Sequence, residues 1–148
     1  MTKTRVGDPF MSADEYGRSM PKFSVNLLVR NVMNSLNFYR DVLGVSVRYS
    51  DGDFAALSLD GVEFMLHADH TYDHHPLYPV VQAARERGAG AELRFSGIDP
   101  DLAEIRARNA GTTVLQPARD YPHGWREITL RDPDGYIWTV GKPIPPID

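Results

Sequence analysis

The sequence predicts an α+β fold made of two β-α-β-β-β modules, residues 23–70 and 91–142. Three observations carry this. Each half strings together an alternating apolar segment, a helix signature and three short strand-like runs. The same order recurs over about fifty residues in both halves, the mark of a duplicated unit. Asp-Gly pairs at Asp51-Gly52, Asp60-Gly61 and Asp134-Gly135 punctuate the runs, and such pairs supply the positive φ that tight hairpins need.

Taken in order, the segment 1–22 mixes Gly7, Pro9, Gly17 and Pro21 with Phe10, Met11 and Tyr16 and has neither a helical nor a strand period. It reads either as a floppy leader or as an arm that packs against a neighbouring subunit. From Phe23, the residues Phe23, Val25, Leu27 and Val29 alternate with Ser24, Asn26 and Leu28, which predicts a strand with a polar groove face near its start. Asn31 or Asn34 can cap a helix along which Leu36, Tyr39 and Leu43 share a face, and Gly44 ends it. Strands follow at 45–49, 54–59 and 62–67. A linker, 71–90, carries a short helix over 77–87 closed by Gly88.

The second module opens with a strand over 92–96. Asp99 is then an N-cap with Pro100 at the first helical position, and Leu102, Ala103 and Ile105 give that helix an apolar side until Asn109-Ala110-Gly111 stops it. Strands at 112–115, 126–130 and 136–140 complete the unit, leaving 143–148 as a tail.

Composition narrows the function classes. A chain of 148 residues with 42% hydrophobic content buries one substantial core. A formal charge of −4 supplies no basic field for nucleic acid or an anionic membrane. With no cysteine there is neither disulfide nor thiolate chemistry, and there is no apolar run of spanning length, so a cytoplasmic protein is expected.

Two motifs carry a resemblance. The segment Phe38-Tyr39-Arg40-Asp41-Val42-Leu43-Gly44 resembles the first-helix motif of the vicinal oxygen chelate superfamily, and the segment from Arg126 to Gly135 resembles its closing hairpin. That superfamily contains glyoxalase I, extradiol dioxygenases, epimerases, fosfomycin-resistance transferases and bleomycin-resistance proteins. Gly52-Asp53-Phe54-Ala55 and the Pro122-His123-Gly124 stretch look most like the bleomycin-resistance-like branch. The resemblance implies the glyoxalase/bleomycin resistance fold, with each module curled into a mixed half-barrel, and a homodimer. It also implies metal ligands on the inner faces of the first and fourth strands of each module. The motifs lay Ser24, Met65, Ala91 and Thr139 on those positions, none of them a good ligand for a divalent transition metal. A register slip would bring Val25, Glu92 or Val140 inward and supply only one.

The expected function is therefore metal-independent binding and sequestration of a small aromatic or amphipathic molecule, with no cofactor and no catalytic residue. The residues expected to line its groove are Asn26, Met65, His67, Glu92, His123, Trp125, Glu127 and Trp138. His67 shares strand parity with Glu63 and Met65. Trp125 offers a stacking surface and His123 a hydrogen bond. Glu127 and Arg126 adjoin on a strand and face opposite sides; Glu127 serves either as a base, as a partner for a cationic ligand group, or in structural ion pairs. Tyr39 and Phe54 are expected in the core, while Tyr121 and Tyr136 remain candidates for stacking. The alternative is a metal-dependent lyase, isomerase or dioxygenase whose divalent ion is held by His67, Glu92 and His123 or by the His70–His75 run. That run matches no zinc spacing and reads more simply as a polar connection.

Overall fold

The β-hairpin grammar produces two four-stranded mixed sheets of identical topology. The structure, a computed structural model, describes residues 1–147. The first sheet has the order β1-β4-β3-β2, built from β1 (Asn26–Val29), β2 (Ser46–Ser50), β3 (Phe54–Leu59) and β4 (Val62–Ala68). The second has the order β5-β8-β7-β6, from β5 (Glu92–Ser96), β6 (Thr113–Tyr121), β7 (Trp125–Arg131) and β8 (Ile137–Pro143). In each, the first strand pairs parallel with the fourth and the other pairs are antiparallel. Helices α1 (Ala13–Ser19), α2 (Val32–Leu36), α3 (Leu77–Ala83) and α4 (Pro100–Ala110) complete the chain; α2 continues as a π-helical turn, Asn37–Val42. Among the described residues no helix is long and apolar enough to cross a membrane.

Residues group into two units: Met1–Met33 with Val45–Ala83, and Asn34–Gly44 with Ala84–Asp148. The helix of the first module thus divides, because its second half bonds to groups of the second unit. Tyr39 Oη donates to Asp132 Oδ2 at 2.6 Å, Ser35 Oγ donates to Asp134 Oδ2 at 3.1 Å, and Trp138 Nε1 donates to Tyr39 Oη at 3.3 Å.

Alternation places Ala55, Leu57, Phe64 and Leu66 on one face of the first sheet, all buried, each worth roughly 1.5–3 kcal/mol for the larger side chains. In the second unit Ile128, Leu130, Trp138 and Val140 do the same. The hairpin between β7 and β8 is fixed by Asp132, whose Oδ1 accepts from the amides of Asp134, Gly135 and Tyr136 at 2.8–3.0 Å. Burial is the main reason its carboxyl is raised to about 6, partly offset by the Tyr39 hydroxyl. Gly135 sits at φ +105°, and a Cβ there would meet the Arg87 amide at 2.6 Å, so the turn admits only glycine.

Differences from the sequence expectation lie at element ends and in the arm. β6 runs on to Tyr121 through two register shifts, and α3 stops at Ala83. The larger difference is segment 1–22, which is neither a featureless leader nor free of helix. Ser12 caps α1 by accepting from the Glu15 amide, while the Glu15 carboxylate accepts from the Ser12 amide at 3.1 Å.

Candidate functional site

The arm makes the site. It folds back over the face of the first sheet that carries Met65 and His67, and its residues and that face together enclose a cavity of about 200 Å³. From the sheet side come Tyr49, Asp51, Phe54, Met65 and His67; Arg5, Phe10, Met11, Tyr16 and Met20 are prominent among the arm's contributions. Ring contacts seat the arm. Phe10 stacks on Tyr49 with centroids 4.6 Å apart, and Tyr16 meets Phe54 edge-on at 5.3 Å.

Asp53 is the clasp. Only 2% exposed, it accepts from the Thr4 amide and hydroxyl at 2.7 and 2.5 Å and from the Arg5 amide at 3.1 Å, while His70 Nε2 lies 2.8 Å away. Burial pushes its pKa up, but hydrogen bonds from Thr4, His70 and Arg5 outweigh burial and hold the carboxyl well below the usual carboxylate range. Farther along, the Thr2 hydroxyl and the terminal ammonium meet Asp73.

His67 is the imidazole of the cavity. Asn26 donates its amide to Tyr72 Oη at 2.7 Å, so its carbonyl oxygen is left to accept from His67 Nδ1, also at 2.7 Å. That bond fixes the tautomer with the proton on Nδ1 and the lone pair on Nε2. Phe54 and Tyr72 flank the ring at 4.8 and 5.5 Å. Burial lowers the imidazole to about 4, with Asp51 opposing, so it is neutral near pH 7.

The corresponding face of the second sheet has a different chemistry. Thr139 Oγ1 donates to Glu92 at 2.9 Å and meets the Thr129 hydroxyl at 3.0 Å. Arg94 joins the carboxylates of Glu92 and Glu127, and His123 Nε2 lies 3.4 Å from Glu127. Gly141 opposes Glu127, and a Cβ there would meet the Arg126 carbonyl oxygen at 2.1 Å and Glu127 Cβ at 2.7 Å, so glycine permits the close approach of β7. Trp125 lies on the same strand parity as Glu127, half-buried.

Of the expected lining residues, Asn26, Met65 and His67 fall together on the first sheet, and Glu92, His123, Trp125 and Glu127 on the second. Trp138 does not line a groove. It is 3% exposed and stacked on Phe95 at 5.3 Å, because it neighbours Thr139 on a strand and must face the other way. Phe54, expected in the core, lines the cavity instead. The His70–His75 run is no loop of free ligands: it holds a 3₁₀ turn, Asp69–Tyr72, and His70 is committed to Asp53. Sequence reasoning missed the arm residues and Asp53, although Ser12-Ala13-Asp14-Glu15 is a capping-box pattern.

The expected metal positions also move. Ser24 and Ala91 precede their strands, and the parallel pairing sets Asn26 opposite Met65 and Glu92 opposite Ile137, from where their side chains reach diagonally to His67 and Thr139. One imidazole and one amide on the first sheet, and a carboxylate shared with Arg94 plus a hydroxyl on the second, do not form a transition-metal donor set on either sheet. No group of three or more His, Asp or Glu side chains placed to share an ion occurs among the described residues.

The comparisons agree with the topology. Residues 23–140 match the model of the Glyoxalase/Bleomycin resistance protein/Dioxygenase superfamily, and the chain belongs to that family. An uncharacterized protein of Mycobacterium bovis is 27% identical over 132 residues, covering 84% of each chain. A glyoxalase-related enzyme from Fulvimarina pelagi has a similar fold (TM-score 0.63, 21% identity, 80% of this chain and 85% of that one). A glyoxalase/bleomycin resistance protein/dioxygenase from Nocardioides is alike to the same degree (TM-score 0.63, 23% identity, 88% and 92%).

Proposed function

We propose that this protein is a metal-independent small-molecule binder of the bleomycin-resistance-like type, which holds its ligand in the arm-roofed cavity of the first sheet without converting it. The observation that carries this reading is the cavity itself. It is aromatic on two walls, of a size for one ring, and holds a neutral imidazole at a fixed tautomer. Such concave, mostly apolar sites with a few convergent polar groups are where small ligands bind. The donor sets of both sheets argue against polarisation of a substrate by a bound ion.

The test is calorimetric titration of metal-stripped protein with phenol, benzoate and indole, with analysis of the recovered ligand. Saturable one-to-one binding with the ligand returned unchanged is expected. Turnover of a bound compound by the metal-free protein, or activity that appears only with added divalent ion, would contradict sequestration.

A further inference from the structure

The cavity's polar groups divide into those already satisfied and those left over, and the remainder describes a ligand. On the acidic side nothing is left. Asp51 Oδ1 accepts from the amides of Asp53 and Phe54 and its Oδ2 from the Tyr49 hydroxyl, while both oxygens of Asp53 are taken by Thr4, Arg5 and His70. On the basic side, by contrast, Arg5 and Lys3 line the cavity, and neither has a carboxylate partner among the described residues. Arg5 Nε is buried with no hydrogen-bond partner at all. An orphaned guanidinium nitrogen beside an apolar wall is costly unless an acceptor arrives. The other open group is His67 Nε2, an acceptor, because Asn26 holds the proton on Nδ1.

Resting on the reading of this cavity as a binding site, we propose that its ligand is a single-ring organic anion that also carries an O–H or N–H donor. Its carboxylate or similar group accepts from Arg5, with Lys3 at the mouth. Its donor bonds to His67 Nε2, and its ring lies among Phe10, Tyr16, Tyr49 and Phe54. Size agrees with one ring: the cavity is about 200 Å³, and a cavity of about 150 Å³ accommodates benzene. A cation would gain little, since every carboxylate oxygen available to it is already bonded. Arg5 dominates over Lys3 because Lys3 is exposed and screened by solvent.

The experiment is titration calorimetry of the full chain with 3- and 4-hydroxybenzoate, benzoate, phenol and benzylamine. A hydroxybenzoate should bind about tenfold more tightly than benzoate, which lacks the donor, and more tightly than phenol, which lacks the anion. Benzylamine should be weakest. Arg5→Gln should erase the advantage of hydroxybenzoate over phenol, and His67→Phe the advantage of hydroxybenzoate over benzoate; the wild-type series decides the matter even if either variant folds poorly. Phenol or benzylamine binding as tightly as the hydroxybenzoates would overturn the anion inference and leave the cavity reading standing. Failure of every ring to bind would overturn both.

Discussion

The two sheets share one topology, yet their equivalent faces have opposite characters. The face of the first sheet bearing Asn26, Met65 and His67 is roofed by the arm and leaves a cavity with open hydrogen-bonding groups. The face of the second, bearing Glu92, Thr139 and Glu127, closes its charges on itself through Arg94 and leaves Arg94 45% exposed. Duplication therefore fixed the frame, and the side chains of one face together with the segment 1–22 decide which half encloses a cavity. Turn chemistry and pairing set the sheet; they do not set what the sheet touches.

The largest effect expected from this contrast follows removal of residues 1–22. Deletion strips one wall and the Arg5 guanidinium, so binding of any single-ring anion should fall by at least about tenfold, as loss of a charged hydrogen bond and of apolar contact requires. Calorimetry on the deleted chain checks this, and unchanged affinity would move the site elsewhere. Asp53→Ala should come next. It leaves the half-buried amides of Thr4 and Arg5 without their acceptor, at a cost of at most about 1–3 kcal/mol for each that water cannot reach, and it loosens the roof. Denaturant unfolding should show the loss of stability and calorimetry a weaker ligand.

Glu127→Gln sharpens the comparison from the other side. It removes the carboxylate that Arg94 and His123 share, and should lower stability by about 1–2 kcal/mol because one partner is half exposed. Ligand affinity should not change. A Glu127→Gln protein that folds normally but loses ligand would break the assignment of binding to the first sheet alone.

Acid titration separates the halves by sign. His67 is lowered to about 4 in the folded state, so between about 6.5 and 4 the unfolded chain binds the extra proton and stability falls as pH falls. Asp132 is raised to about 6, so over the range from about 6 down to 3.8 the folded chain binds the extra proton, and its contribution grows as pH falls. The two oppose each other. His67→Phe should therefore flatten the acid loss between pH 6.5 and 4, measured as unfolding free energy against pH, and an unaltered profile would mean that His67 is not held neutral. The smallest effect belongs to Ser12→Ala: loss of the α1 cap costs about 1 kcal/mol locally and should weaken binding only a few-fold.

Much of the frame was legible because its signals are local. Asp60-Gly61 turns a hairpin, Asp99-Pro100 starts a helix and strand alternation gives parity, all within a few residues. The site was less so. Asn26, Met65 and His67 share a face readable by parity, but the covering arm contacts partners far along the chain, as Thr4 does with Asp53, 49 residues on. A seven-residue helix is also too short to show a hydrophobic period, although its capping box was readable. Trp138 illustrates an avoidable error. With Thr139 placed on the polar face, its neighbour had to face the core. Which side Glu92 takes depended on its pairing with β8, a long-range register that local pattern does not contain.

The most direct test uses the methionines as reporters. Met1, Met11, Met20 and Met65 line the cavity, while Met33 is exposed and does not. Spectra of methyl-¹³C-methionine protein titrated with 3-hydroxybenzoate should show saturable shifts at Met11, Met20 and Met65 and a silent Met33. Saturable binding that leaves the Met65 methyl unmoved would contradict the account.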